Sequence, residues 1–222
     1  WNLLFPFAGV IIGCMTVSLT IAIMEGMEHA IFNKLKNVSF PAKLIHIKDD
    51  STSDLEIFLN KQKIKYLNGI EDQILIMNDK TFRIATIHGI ENINIFKNNF
   101  LINNLNEIII DSPIPIIYLG MPLANKLDIT LGDTIDISVH KEINIITGLP
   151  SKRSMIVGGI YRLNILDYDH KHIFTDYNSL KDFIPDSRSL YYLNEIPGEN
   201  IVKTITQNFP DLEVHTWEDE HH

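Results

Sequence analysis

The chain is poor in cysteine, with Cys14 alone among 222 residues. No intrachain disulfide or thiolate metal site is available, so packing must hold the fold. An excess of positive charge is missing as well. With 28 acidic against 19 basic residues the formal net charge is −9. An acidic surface repels phosphate backbones and argues against a nucleic-acid partner. The phosphate-cradling patterns G-x-x-x-x-G-K-[ST] and G-x-G-x-x-G do not occur, so no nucleotide cofactor is expected. G-x-S-x-G and H-E-x-x-H are also missing, which removes the commonest hydrolase signatures. The most consequential absence is local: from Leu3 to Met24 (LLFPFAGVIIGCMTVSLTIAIM) no residue carries a charge.

As a helix this run spans about 33 Å, enough for a bilayer hydrocarbon core of about 30 Å. Its polar residues are Ser, Thr and Cys only, which can bond back to their own helix. Ile11-Ile12-Gly13-Cys14 is loosely like a lipoprotein lipobox, but uncharged residues continue after Cys14 where a mature lipoprotein turns polar. No basic segment precedes the run, and it is too long for a cleavable signal. A retained membrane anchor is expected, with its cytoplasmic start preceding Trp1. All the charge lies after Met24, in a part long enough for one or two domains with a real core.

Apolar residues at 24, 27, 31 and 35 continue the helix as a stalk that Asn37 to Pro41 ends. Ala42 to Lys48 alternates like a strand, and Ser53-Asp54-Leu55-Glu56 fits a capping box opening a helix to about Lys61. Strand-like runs at 64–67 and 73–77, split by Asn68-Gly69, complete a βαβ-type unit. The middle is strand-rich: 81–90, 107–110, 115–119, 134–139 and 154–161. Met121 to Leu127 forms a short helix with Pro122 in its first turn, and another helix lies around 177–183. Strand 189–195, a helix to about Asn208 and strand 212–217 repeat the opening scheme. The expected fold class is therefore α+β. Residues 1–38 form a transmembrane helix and stalk, 39–78 and 188–217 a split βαβ lobe, and 79–187 an inserted strand-rich lobe.

Three constellations stand out. In Asp167-Tyr168-Asp169-His170-Lys171-His172, the two histidines would share one face of a strand. Zinc needs three or four convergent ligands, however, and no third can be named, so no metal site is assigned. Glu25 and Glu28 sit just beyond the apolar run, where a solvated headgroup position is favoured over a functional intramembrane pair. Residues 140–153 form a hairpin-like excursion whose Ile143, Ile145, Ile146 and Leu149 are either tucked against the lobe or left out as a contact site. Pro150 and Arg153 follow on the return arm.

Four stretches taken together resemble the permease subunits of the lipoprotein-releasing ABC transporter (LolC/LolE type), within the MacB/FtsX-like permeases. They are 8–27, ending Met24-Glu25-Gly26-Met27; Tyr118-Leu119-Gly120-Met121-Pro122-Leu123-Ala124-Asn125-Lys126-Leu127 with Leu131-Gly132-Asp133; Gly148-Leu149-Pro150-Ser151-Lys152-Arg153 with Ile156-Val157-Gly158-Gly159-Ile160-Tyr161; and Thr216-Trp217. Gly26-Met27 departs from the family's commoner Gly-Phe. The resemblance implies a MacB-like periplasmic domain, with the split lobe porter-like and the insert sabre-like, on a protein of the bacterial inner membrane. It implies no catalysis in this chain. A cytoplasmic ATPase subunit would hydrolyse ATP, a second permease subunit would complete a hetero- or homodimer, and a periplasmic carrier of the LolA type would receive the lipoprotein. The carrier would dock on the hook at 140–153, through Ile143, Ile145, Ile146, Leu149, Pro150 and Arg153. Lipoprotein acyl chains would face Val17, Ile21, Met24 and Met27, which fall on one helical face. The alternative is a MacB-like efflux or FtsX-like mechanotransmission permease. A membrane-anchored hydrolase using His170 and His172 is the reading from a different class.

Overall fold

The computed structural model describes residues 4–38, 40–46, 52–78, 81–97, 104–143, 150–184 and 188–216, with side chains described for these apart from 4–5, 29, 31–38, 46, 52–53, 140–143 and 188. The chain divides into two units, Trp1–Asn37 and Val38–His222. The first is the helix α1, Leu4–Val38, uninterrupted over 35 residues. Its Pro6–Glu28 stretch is long and apolar enough to cross a membrane, and none of it is buried. Polar side chains inside the stretch turn inward: Thr16 Oγ1 donates to the Ile12 and Gly13 carbonyls at 2.8 and 2.9 Å, and Thr20 Oγ1 to Thr16 O at 2.8 Å. A helix apolar all round and bare of its own chain is stable only where lipid or another protein covers it.

The second unit runs β1 (Ala42–His46), α2 (Thr52–Lys61), β2 (Tyr66–Asn78), β3 (Thr81–Ile90), α3 (Ile93–Phe96), β4 (Leu105–Glu107), β5 (Ile116–Gly120) and α4 (Met121–Leu127). It continues with β6 (Thr134–Ile143), β7 (Pro150–Tyr161), α5 (Leu166–Lys171), β8 (His172–Asp176), α6 (Tyr177–Lys181), β9 (Arg188–Leu193), α7 (Glu199–Asn208) and β10 (Leu212–Thr216). Among the described residues, the ten strands join one sheet.

At one end the strand order is β10-β1-β9-β2, every neighbouring pair antiparallel. β1 and β2 are thus parallel with β9 between them, as are β9 and β10 around β1. The connections α2 and α7 make two interleaved βαβ units. Both helices cover one face: Leu55 and Leu59 of α2 and Ile205 of α7 are buried with Ala42, Leu44, Tyr191, Leu193 and Leu212. The alternation of Lys43 and Ile45 against Ala42 and Leu44 puts the first pair on the opposite face.

β2 then leaves this sheet and becomes the first stave of a barrel. The pairs β2–β3, β3–β8, β8–β5, β5–β7, β7–β6 and β6–β2 close a six-stranded ring. Alternate residues point inside: Ile70, Ile74 and Ile76 of β2, Ala85 and Ile87 of β3, Ile117 and Leu119 of β5, Ile135, Ile137 and Val139 of β6, Met155 and Val157 of β7, and Ile173 of β8. This filling of a small barrel by side chains is what closure of few strands demands. Leu123 and Leu127 of α4 and Leu180 of α6 join the same core.

The expected break at Asn68-Gly69 does not occur, because β2 is continuous over 13 residues. Gly69 is there for close approach: a Cβ on it would run into the Tyr192 ring, so the aromatic packs flat on bare backbone. One strand therefore serves both the βαβ sheet and the barrel, and the barrel takes a stave from within 39–78. Residues 108–110, expected as strand, lie outside β4. α2 begins at Thr52, which puts Ser53 inside its first turn.

Candidate functional site

Two of the stretches that carry the resemblance, 118–133 and 150–161, lie on the barrel, where they have structural work. Gly120 ends β5 against the backbone of Asp169, leaving no room for a side chain. Met121-Pro122 then start α4, whose Leu123, Ala124 and Leu127 are buried, and Asn78 Nδ2 ties the Leu127 carbonyl at 2.7 Å. Asp133 Oδ2 accepts from the Thr130 amide and hydroxyl at 2.7 and 2.9 Å, fixing the turn into β6. In β7 the β5 register shifts so that Gly158 is the extra residue between Val157 and Gly159. That bulge inverts the alternation. Met155 and Val157 point into the barrel, while Tyr161 packs outside it.

The expected hook begins as a two-stranded ribbon. β6 and β7 remain paired out to Ile143 opposite Pro150, with a register shift after Ser138. Ile145, Ile146 and Leu149 lie outside the described residues, as does the Ile143 side chain. Pro150 is exposed. Arg153 is engaged internally: its Nη1 donates to Ser179 O at 2.8 Å, and the guanidinium lies 5.9 Å from the Phe183 ring centroid. On α1, Val17, Ile21, Met24 and Met27 are 59, 52, 66 and 62 % exposed, but Leu19 and Ile23 are equally open at 62 and 61 %. Exposure alone picks out no lipid-facing side. Glu25 and Glu28 fall within the same bare stretch.

The histidine pair of the sequence reading is separated. His170 belongs to α5 and His172 opens β8, so they share no strand face. The helix forms because Asp169, buried, accepts from the Leu163 and Asn164 amides at 2.9 Å each. Asp167 pairs with Lys171 at 2.9 Å, a hydrogen bond that lowers its pKa. Among the described residues no group of three or more His, Cys, Asp or Glu is placed to hold a metal.

His172 instead meets His88, which the sequence reading missed. His88 Nε2 lies 2.7 Å from His172 Nδ1, and His88 Nδ1 lies 3.1 Å from the Tyr192 hydroxyl. Burial, helped by Lys43, lowers the His88 pKa to about 3. Glu71 Oε2 is 3.6 Å from His88 Nδ1 but 3.3 Å from Lys43 Nζ. Lys43 already neutralises the carboxylate, so His88 is a neutral ring here and not an ion-pair partner. Around these groups sits an aromatic cluster of Phe40, Phe96, Tyr118, Tyr161, Phe174 and Tyr192. Phe40 stacks on Tyr192 at 4.3 Å, and Tyr168 on His172 at 4.2 Å. Tyr161 donates its hydroxyl to His172 O at 2.6 Å. Its pKa is raised well above the usual value by burial and by Asp169. The local signal for His88 was its place in a strand of alternating residues, TFRIATIHGI, on the face opposite Ala85 and Ile87.

No family model matches the chain, and no curated protein does. Among solved structures, the chain is similar to the extracellular domain of the ABC-type transporter YknZ from Gram-positive bacteria, at 12% identity and a TM-score of 0.47, covering 78% of this chain and 98% of that one. It is also similar to a domain described as a permease protein from Porphyromonas gingivalis, at 12% identity and a TM-score of 0.40, covering 81% and 87%.

Proposed function

We propose that the chain is the first membrane helix and extracytoplasmic domain of an ABC-transporter permease subunit, which binds and moves a substrate without catalysing a reaction. The observation that carries this reading is α1. Pro6–Glu28 is apolar, long enough to span a bilayer and wholly unburied, and the same helix runs on to Val38, where a folded α/β unit begins. That length and composition fit a membrane anchor. ATP hydrolysis would belong to a separate cytoplasmic subunit, and a second permease subunit would complete the membrane part. The resemblance carried by the motifs around Gly120, Asp133 and Gly158 supports the same family.

Within that class, release of outer-membrane lipoproteins to a periplasmic carrier of the LolA type is the finer proposal. It rests on the β6–β7 ribbon at the hook position and on the resemblance. One observation favours the broader MacB/FtsX-like reading: Arg153, a hook residue, is spent on Ser179 and Phe183. Site-specific photo-crosslinking in membranes tests both. Probes at Val17, Ile21 and Met24 capturing lipoprotein, with weaker capture at Leu19 and Ile23, support lipoprotein release. Labelling by phospholipid alone, equal around the helix, removes the lipoprotein substrate. A reporter fused after Thr216 that is active only in the cytoplasm removes the permease topology altogether.

A further inference from the structure

β3 is bonded to β8 over five residue pairs, Thr86–Ile90 against His172–Asp176, and this pairing is parallel. The barrel is closed at this place by a short seam. His88 stands in the middle of it on the outer face, with its Nε2 at 2.7 Å from His172 Nδ1 and the two rings stacked at 5.0 Å. A gap of that length holds one proton. A proton added to the pair can be carried as an imidazolium–imidazole bond. A further one would set two N–H groups against each other and break the bridge.

The groups facing the pair come from six elements. Lys43 of β1 and Glu71 of β2 form an ion pair at 3.3 Å. Tyr192 of β9 reaches His88 Nδ1, and Tyr161 of β7 donates to the His172 carbonyl. Tyr168 of α5 stacks on His172, and Asp167 of α5 also senses its charge. Phe174 of β8 covers the His88 ring at 5.2 Å. Lys43 opposes a positive charge on His88, and Glu71 is already answered by Lys43.

We propose that His88 is an acid-operated latch on the β3–β8 seam. As a neutral ring it ties the two strands and Tyr192 together, and the proton it takes from solvent only when they part draws the barrel toward an opened form in acid. The buried, Lys43-facing position holds the ring neutral down to a pKa of about 3, whereas a histidine freed by opening titrates near about 6.5.

Hydrogen exchange of the full chain in detergent micelles at pH 7 and pH 4.5, corrected for intrinsic exchange rates, tests this. Protection at Ile87–Ile90 and Ile173–Thr175 is expected to fall about 100-fold, the effect of sitting about two pH units below the ordinary histidine value. His88→Gln keeps an atom to face His172 but takes no proton, and should hold the fall to about 3-fold or less. His215→Gln, on β10, should leave the full fall in place. A seam that keeps its protection in acid, or a His88→Gln chain that loses it as fully as the parent, overturns the proposal. Imidazole nitrogen resonances of the unmutated chain decide the matter even where His88→Gln does not fold. His88 is expected to stay neutral to pH 4.5, and titration near pH 6.5 would refute the latch.

Discussion

The inside and the outside of the barrel use the same strands and opposite chemistry. Inside, the side chains are Ile, Leu, Val, Ala and Met, with Thr175, whose buried hydroxyl donates to Ile116 O at 2.8 Å. Outside, where β3, β5, β7 and β8 meet Phe40 and β9, Phe and Tyr pack with Ile90, Leu163 and Leu190, joined by His88, His172, Glu71 and Lys43. An aliphatic core is non-directional and asks for volume; a polar aromatic seam asks for hydrogen-bond geometry and a fixed protonation state. The two regions should therefore fail in different ways.

Truncation should hurt the interior most. Leu119 is fully buried, and Leu119→Ala is expected to cost about 2–5 kcal/mol, while the volume-conserving Leu119→Met costs less than about 1.5 kcal/mol. Urea unfolding of the full chain in micelles measures both. A loss below about 1 kcal/mol for the alanine would mean that the ring is not a packed core.

Acid should hurt the seam and spare the interior. Below pH 6.5 the unfolded chain protonates His88, but the folded chain does not until about pH 3. The unfolded state then binds more protons, so stability is full above that window and falls as the pH drops through it. From pH 7 to 5 the expected loss from His88 is about 2 kcal/mol. The cost of Leu119→Ala should be the same at both values. If His88→Gln retains the whole pH dependence, another group carries it.

That contrast also explains what could be read from the sequence. Three staves were legible as strands because the signal is local: 81–90, 134–139 and 154–161 each show it within their own residues. The two interleaved βαβ units were legible from α2 and α7 for the same reason. The closed ring was not, since it depends on β6 reaching back to Leu75–Met77 over some sixty residues. Gly69 read as a turn because a glycine required for close approach looks like any other until Tyr192 is placed on it. The seam was invisible for the strongest reason: Lys43, Glu71, His88, His172 and Tyr192 come from five strands with no shared motif. His172 was noticed beside His170, its sequence neighbour, when its partner lies on β3.

Removing a single hydroxyl probes the seam more gently. Tyr161→Phe leaves the ring in place but removes the 2.6 Å hydrogen bond that its fully buried hydroxyl donates to His172 O, a loss of about 1–3 kcal/mol. Because the same carbonyl begins β8, the variant should also speed exchange at Ile173 more than at Ile137 on the far side of the ring. Uniform acceleration would show that the barrel opens as one unit and that the inside–outside distinction has no dynamic counterpart.

The smallest effect is expected at Arg153, where the two readings of the ribbon part company. Its hydrogen bond to Ser179 O and its position over Phe183 link β7 to α6 and the segment after it. At a partly buried site these contacts together are worth about 1–2 kcal/mol, so Arg153→Ala should lower the melting temperature by a few degrees. Arg153→Lys should recover part of that, because an ammonium reaches one acceptor but lacks the planar face that lies over the ring. If the hook binds a carrier, the anchoring would then come from the apolar tip. Ile145→Ala or Leu149→Ala should cost about 1–3 kcal/mol of binding with little change in melting, whereas Arg153→Ala should change melting with little loss of binding. Titration of each variant with a LolA-type carrier, paired with a thermal melt, separates the two. Arg153→Ala that melts like the parent yet binds tenfold more weakly would put the guanidinium on the docking surface and make the Ser179 contact incidental.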